Sequence, residues 1–367
     1  MPEEGRPARR EEEVLEAIER RRRRPPRRLL AEQVTLSHGA GGRATRDLVE
    51  GLFLRHLSDP ALARLEDAAV LGGVPAGEQA VLTTDSYVVS PIFFEGGDIG
   101  GLAVNGTVND LAVAGARPLA LSAGFVIEEG FRVADLERVA ASIAAAAGGA
   151  GVRVAAADTK VVERGKADGL YLNTTGLGLL AEGVDLGPER VAAGDRVLVS
   201  GTIGDHGMAI ILSRGELALE GDLRSDSAPL WSLVSDLIGT AGAGLRWMRD
   251  PTRGGVATVL VELALATGLG VALREAEIPV RGSVAGACEI LGIDPLYVAN
   301  EGKLIAVVAP ERAADALEAM RSHPLGREAA EIGEIRSEPE ATVVLETGLG
   351  GGRIVDMLTG DPLPRIC

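Results

Sequence analysis

The last residue of the sequence is a cysteine, Cys367, carried on Pro362-Leu363-Pro364-Arg365-Ile366. A terminal thiol behind two prolines reads as a movable nucleophile that can be acylated and delivered, and equally as a chance residue at a frayed end. Extended, residues 358–367 span at most about 33 to 36 Å, enough to pass between an interior site and a partner at the surface. Pro362 and Pro364 favour a semi-rigid extended arm and keep regular structure from capturing it. Cys367 shares its residue with the α-carboxylate, a like charge that disfavours the thiolate, and Arg365 offers an opposing charge to activate or orient it.

Four aspartates sit at element ends in polar or glycine-rich surroundings: Asp67 in Glu66-Asp67-Ala68-Ala69, Asp85 in Thr83-Thr84-Asp85-Ser86, Asp110 in Val108-Asn109-Asp110-Leu111, and Asp250 in Arg249-Asp250-Pro251-Thr252-Arg253-Gly254-Gly255. Each alone reads as a cap or a turn as well as a ligand. Asp110 is the harder one to dismiss, because with Asn105, Thr107 and Asn109 it interrupts an apolar helix, and buried polar groups need partners. Hard oxygens spread over several elements suit Mg²⁺, which takes one or two carboxylates and completes its shell with water and phosphate. Zinc is disfavoured, since four histidines and two cysteines show no ligand spacing. Neither a phosphate-loop signature nor a dinucleotide-binding fingerprint is present.

Two further polar clusters close strands or precede them. Asp158, Thr159 and Lys160 are expected at a strand end, where Lys160 could neutralise a transferring phosphoryl group. Asn300-Glu301-Gly302-Lys303 precedes another strand, and Glu301, if desolvated, could act as a general base. Both also read as surface turns. A glycine-rich stretch, Ser37-His38-Gly39-Ala40-Gly41-Gly42, precedes a helical pattern and could wrap an anion with backbone N–H groups.

These groups need a framework to position them. At 367 residues the chain exceeds what one core usually supports, so two domains of roughly 150 residues are expected. The pattern alternates strands (80–89, 119–127, 153–157, 170–180) with helices (97–114, 133–147), then repeats the rhythm after a boundary near 183–194. That mixture predicts an α+β layer rather than a doubly wound parallel sheet. Residues 1–32 form a charged extension with a helix possible over 11–24, residues 33–183 one domain, 184–357 a second, and 358–367 a mobile tail.

The net charge of −16 opposes nucleic acid and anionic membrane as partners. Residues 1–30 are the exception, with ten arginines against seven glutamates; the run Arg20 to Arg24 with Arg27 and Arg28 could contact acidic groups locally but reads first as a solvated linker. Two cysteines are too few for a disulfide framework and fit a reducing, cytoplasmic location. Cys288, in an apolar stretch, reads as a small buried hydrophobe. No apolar run is long enough for a membrane span.

Taken together, His38-Gly-Ala-Gly-Gly42, Thr84-Asp-Ser86, Asn105-Gly-Thr-Val-Asn-Asp110, Asp158-Thr-Lys160, Arg249-Asp-Pro-Thr-Arg-Gly-Gly255, Ala299-Asn-Glu-Gly302 and Pro364-Arg-Ile-Cys367 resemble the HypE family of hydrogenase maturation proteins, from about residue 33 to the end. The aspartates alone indicate the wider superfamily of aminoimidazole ribonucleotide synthetase, selenophosphate synthetase and thiamine monophosphate kinase; the tail narrows it. The resemblance implies a two-domain PurM-like fold, its N-terminal half forming a β-barrel with a second subunit's, with Mg-ATP bound at the glycine-rich loop and the aspartates. It further implies that HypF carbamoylates the terminal thiol, that the S-carboxamide is dehydrated to S-cyanide with ATP, and that the cyanide passes to HypC-HypD. Carried over position by position, Cys367 is the carrier, and Asp67, Asp85, Asp110 and Asp250 hold Mg-ATP with Gly41, Gly42, Asn105, Asn109, Asp158 and Thr159 in support. Lys160 stabilises charge and Glu301 assists proton removal. Residues 1–30 have no counterpart in the family pattern. The rival readings are a small-molecule kinase or synthetase of the same superfamily and a non-catalytic carrier.

Overall fold

The computed structural model describes residues 42–48, 50, 69–71, 79–215, 223–348, 350–360 and 363–367. The charged extension, most of the glycine-rich loop including Gly41, and Asp67 lie outside the described residues. In chain order the elements are α1 (Arg43–Leu48), β1 (Ala69–Leu71), β2 (Ala80–Tyr87), β3 (Phe93–Phe94), β4 (Gly97–Asp98), α2 (Ile99–Val113), β5 (Ala116–Glu128), α3 (Val133–Ala150), β6 (Arg153–Val162) and β7 (Leu170–Leu180). They continue with β8 (Arg196–Val199), α4 (Asp205–Ser213), α5 (Trp231–Ala241), β9 (Leu245–Arg249), α6 (Gly255–Thr267), β10 (Gly270–Arg274), α7 (Gly282–Leu291), β11 (Ile305–Val308), α8 (Pro310–Ser322), β12 (Ala330–Arg336), β13 (Val343–Glu346) and β14 (Gly352–Val355).

Strands β1 to β7 build a five-stranded sheet in the order β1-β2-β7-β5-β6, antiparallel except for the β5–β6 pair. Alternation along β2 sends Val81, Thr83 and Tyr87 inward while Leu82, Thr84 and Ser86 point out. The inner face is covered by α2, and α3 packs on α2 in turn. The outer face is open: Leu82 and Leu177 are direct cross-strand partners there, each 41% exposed, with Val126 on the same face.

The second sheet runs β14-β13-β10-β12-β8-β11-β9, mixed in sense because β10 and β13 are parallel. Both of its faces are covered, which is why β8 and β11 are apolar at nearly every position rather than alternating. Val197, Val199, Ile305 and Val307 pack with α6, whereas Leu198, Ala306 and Val308 pack with α5 and α8.

Helix α2 joins the two halves. Asp98 caps its start, accepting from Gly100 N at 2.7 Å and Gly101 N at 3.0 Å. It is buried nearly all round, as expected of a helix that is apolar on every side, because β2, β5 and β7 lie on one flank and α5 and β9 on the other.

Two expectations change. Asp158, Thr159 and Lys160 lie inside β6 rather than at a strand end, because β6 continues alongside β5 as far as Val162. The tail is seated rather than loose: Leu363 and Ile366 are buried among Phe94, Met208 and Ile210. Its prolines block a continuous strand but leave enough backbone for two antiparallel hydrogen bonds, Val88 N to Cys367 O and Ser90 N to Arg365 O, both 3.1 Å.

Candidate active site

The site lies where β2, α2, the β9–α6 turn, the segment 299–303 and the C-terminus meet. Strand alternation turns Thr83, Asp85 and Tyr87 toward α2, and Thr83 Oγ1 donates to Asp110 Oδ2 at 2.8 Å. Tyr87 fits because residue 106 is glycine: a Cβ there would stand 2.3 Å from the tyrosine hydroxyl. Burial, then the charges of Asp85, Asp110 and Glu301, push the Tyr87 hydroxyl well above its ordinary value.

Asp250 is buried in a tight turn closed by Gly255 N to Thr252 O at 2.9 Å. Gly255 has φ +60°, and a Cβ on it would be 2.4 Å from Leu296 O, so the turn demands glycine on both counts. Asn300, fully buried, ties this turn to the next segment, donating to Pro251 O at 2.9 Å and Val298 O at 3.1 Å and accepting from Gly204 N at 2.7 Å. That bracing carries Glu301 into the interior at 3% exposure.

An extended strap, residues 223–230, locks the far side. Asp226 accepts from Glu301 N at 3.0 Å and pairs with Lys303 Nζ at 2.9 Å. Burial works against the charge on Asp226, but the Lys303 ammonium beside it outweighs burial and its carboxyl sits below its ordinary value. Gly302 permits the approach, since a Cβ there would fall 1.8 Å from Asp226 O.

The electrostatics mark an acidic centre short of positive charge. Glu301 is pushed well above the carboxylate range by burial and then by Asp250, Asp85 and Asp226. Burial also raises Asp85, against the pull of Arg253 and of Ser86 N–H. Arg253 is the cation of the group: the negative charge at Cys367 is the largest influence holding its proton, followed among attractions by Asp85 and Glu301. Asp85, Asp110, Asp250, Glu301 and Cys367, distant in sequence, are thus one electrostatic unit.

Other residues singled out in the sequence are placed differently. The side-chain amide of Asn109 is committed, Nδ2 to Ala228 O and Glu301 O at 3.0 Å each and Oδ1 to Leu230 N at 2.8 Å. Asn105 donates to Ser227 Oγ at 3.1 Å, while its buried carbonyl oxygen has no hydrogen-bond partner. Gly42 abuts the base of the tail, with Arg43 N donating to Leu358 O at 3.1 Å. Lys160 pairs in register with Val126 on the open face, and β5 and β7 separate its strand from β2, so within one chain it does not join Asp85. The Arg365 guanidinium is engaged elsewhere, donating Nε to Val88 O at 2.9 Å and pairing with Asp168. Cys288 is buried, its thiol pushed up to about 11.

Sequence reasoning gave no role to Tyr87, Arg253, Asp226 or His206. Arg253 sits within a motif already noticed, three residues after Asp250, and an arginine beside an aspartate turn was the available signal. Tyr87 and His206 acquire partners only through tertiary contacts, which local pattern does not carry.

Comparison with known proteins narrows what this centre is. Residues 65–180 match the family model for AIR synthase related protein, N-terminal domain, and residues 192–346 the corresponding C-terminal domain. Carbamoyl dehydratase HypE of Bradyrhizobium diazoefficiens is 57% identical over 334 residues, 91% of this chain and 96% of that one. The chain belongs to the HypE carbamoyl dehydratase family. A crystal structure of HypE in complex with ATP superimposes with a TM-score of 0.76 at 46% identity, covering 91% of this chain and all of the other. HypE from a HypE–HypF complex gives 0.80 at 47% identity over 85% of this chain and 99% of the other. The PurM-like fold is therefore established, and the seated cysteine lies in the framework of a HypE enzyme.

Proposed function

We propose that this chain dehydrates a carboxamide carried on the sulfur of its own Cys367 to a thiocyanate, with ATP as the dehydrating reagent. The carbamoyl group comes from HypF, and the cyanide passes to HypC-HypD as an iron ligand of nickel-iron hydrogenase. The observation that carries this reading is the proximity of Cys367 to Arg253, and through it to Asp85 and Glu301.

The chemistry follows from what an amide lacks. Its oxygen is a poor leaving group until the oxygen attacks the γ-phosphorus of ATP and ADP departs. The C–O bond then breaks, phosphate leaves with the former amide oxygen, and both N–H protons are lost, one to a base on the protein and one to the departing phosphate or solvent, giving the nitrile. Glu301 suits the base: burial and the neighbouring carboxylates raise its proton affinity, so its ionised form accepts a proton more readily than an ordinary carboxylate. Arg253 suits the charge that develops on the amide oxygen and phosphate, because a fixed cation in a desolvated site acts strongly there.

Magnesium fits the residues present. Such an ion takes one or two carboxylates directly and completes its shell with water and phosphate oxygens. One or two of Asp85, Asp110 and Asp250 would supply the carboxylates directly, the others acting through water, with Asp67 outside the described residues, and the unpartnered oxygen of Asn105 adds a hard donor in the same seam. When bound, the ion neutralises phosphate charge.

The open face of the first sheet supports a homodimer whose sheets close over Leu82, Val126 and Leu177. Lys160 lies on that face, so its assigned role in charge stabilisation is exercised across the dimer. Among the described residues no helix is long and apolar enough to cross a membrane. A cytoplasmic location would suit a reaction that needs both a reduced thiol and ATP.

Intact-mass analysis tests the reaction. After incubation with HypF, its carbamoyl donor and Mg-ATP, Cys367 should gain one carbamoyl group that then loses one water. An adduct elsewhere, or one that never loses water, would overturn the reading.

A further inference from the structure

Beyond the buried side chains of Leu363 and Ile366 and the contacts of Arg365, the tail is gripped at three successive main-chain carbonyls. His206, fully buried on α4, sets Nε2 3.0 Å from Ile366 O. One helix length further on, Arg214 contacts the carbonyls of Pro364 and Arg365, the latter at 3.2 Å, and donates Nε to Ser90 O at 3.0 Å. Arg214 therefore clamps both sides of the pairing between the tail and residues 88–90.

The hydrogen-bond directions around His206 are determined. Ile366 O can only accept, so Nε2 carries the hydrogen. In the neutral ring Nδ1 then carries no hydrogen, so Ser225 Oγ, 2.8 Å away, donates to it while accepting from Ser227 N at 3.1 Å. Burial, its largest influence, keeps His206 below its ordinary pKa and hence neutral, consistent with that tautomer. The ring is further fixed by an edge contact to Phe94, centroids 5.7 Å apart at 90°. The result is a rigid single donor aimed at the carbonyl immediately before the cysteine.

We propose that His206 and Arg214 are positioning residues for the dehydration, reading the carbonyls of Pro364, Arg365 and Ile366 to hold Cys367 in register beside Arg253. The inference rests on the proposed function, and it explains why the anchors lie upstream of the sulfur. On that reading the sulfur carries three groups in turn, a hydrogen, a carboxamide and a nitrile, with different hydrogen-bonding capacities. A receptor that gripped the sulfur would favour one of them. Carbonyls at 364 to 366 are the same in all three states, so one docking geometry serves the whole cycle. Individual bonds of this kind are modest in net strength, which lets the tail leave for a partner protein.

The test uses the full-length protein with Mg-ATP and follows Cys367 alkylation by N-ethylmaleimide, a measurement independent of the dehydration. Losing one such anchor should shift the seated fraction by about tenfold. H206L and R214Q should therefore alkylate about tenfold faster than wild type, while H206Q, whose side-chain amide can present N–H near the Nε2 position, stays within about twofold. In the same variants HypF-dependent carbamoylation should be undiminished and subsequent loss of water about tenfold slower. Unchanged alkylation in both R214Q and H206L would overturn the proposal, as would H206Q behaving like H206L. Should H206L fail to fold by circular dichroism, R214Q and H206Q decide the question. Wild-type protein that alkylates as described but never loses water would overturn the dehydratase reading and leave the receptor standing.

Discussion

Asn109 on α2 donates Nδ2 to the backbone carbonyl of Glu301, 3.0 Å away and from the other sheet's half of the molecule. The same amide holds Ala228 O and Leu230 N. One side chain therefore fixes the backbone carrying the proposed base relative to β2 and α2, which carry Asp85 and Asp110. The register between the two halves is set at the point where the chemistry needs it.

Asn109→Ala would take this partner from Glu301 O and Leu230 N, which are buried, and from Ala228 O, which is partly so. Unsatisfied buried groups cost about 1–3 kcal/mol each, partly relieved by water, so a loss of about 2–4 kcal/mol in unfolding free energy is expected. Urea denaturation monitored by Trp247 and Trp231 fluorescence measures it. A change below about 0.5 kcal/mol would show that the amide does not brace the junction.

Glu301 predicts opposite pH trends for rate and for stability. Its folded-state pKa is raised, so a base at this position gains activity as pH rises through that value, and single-turnover loss of water should increase accordingly. For stability, a carboxyl raised on folding favours the native state below its unfolded pKa, about 4.3, and that contribution is lost as pH rises through the folded value. Nucleotide-free protein should therefore lose stability over that interval. Glu301→Gln should flatten the slope, match or exceed wild type in thermal midpoint at neutral pH, and abolish the loss of water. A rate independent of pH in this window would remove Glu301 from the role of base.

Much of this was legible in the sequence, for reasons specific to each residue. Asp110 stood out because a carboxylate in an apolar helix needs a partner, and Thr83 provides one. Elements with clear period, such as β7 and α3, fall where alternation and apolar spacing put them. Lys160 was misplaced because a strand end cannot be told from a strand interior when β6 is extended by pairing with β5, a tertiary effect. The seated tail was hidden for a similar reason: the prolines that exclude a continuous strand say nothing of isolated carbonyls, which His206 and Arg214 can still reach. Arg365 was the obvious cation for Cys367 because it is close in sequence, yet the fold turns it to Asp168 and brings Arg253 instead.

That exchange is testable. Arg253→Gln removes the positive charge at Cys367 and should slow loss of water from the carbamoylated protein at least about tenfold, equivalent to about 1.4 kcal/mol of transition-state stabilisation, with Arg253→Lys recovering part. Arg365→Gln should act mainly on seating, raising Cys367 alkylation. Equal losses of the chemical step when both variants are held seated by saturating ATP would show that Arg253 has no special role.

Lys160 gives the sharpest test of the dimer. It lies on the open face, in register with Val126 and three strands from β2, whereas Asp85 faces α2 from the opposite side of the same sheet. Strands are about 4.8 Å apart, so roughly 14 Å and the thickness of the sheet separate the two within one chain, beyond the reach of a lysine. If Lys160 serves the reaction, it serves the neighbouring protomer. Lys160→Ala and Cys367→Ser should each be inactive alone, the first lacking the cation and the second the carrier. Mixed and allowed to exchange, about half of the dimers would be hybrids, in which an intact Lys160 stands opposite an intact Cys367, so loss of water should reappear at a substantial fraction of the wild-type rate. Leu177→Glu, placing a charge in the centre of the open face, should shift the protein to monomer by sedimentation and prevent the rescue. Failure of the mixture to recover activity, with hybrids confirmed by native mass spectrometry, would confine Lys160 to a structural or solvent-facing role.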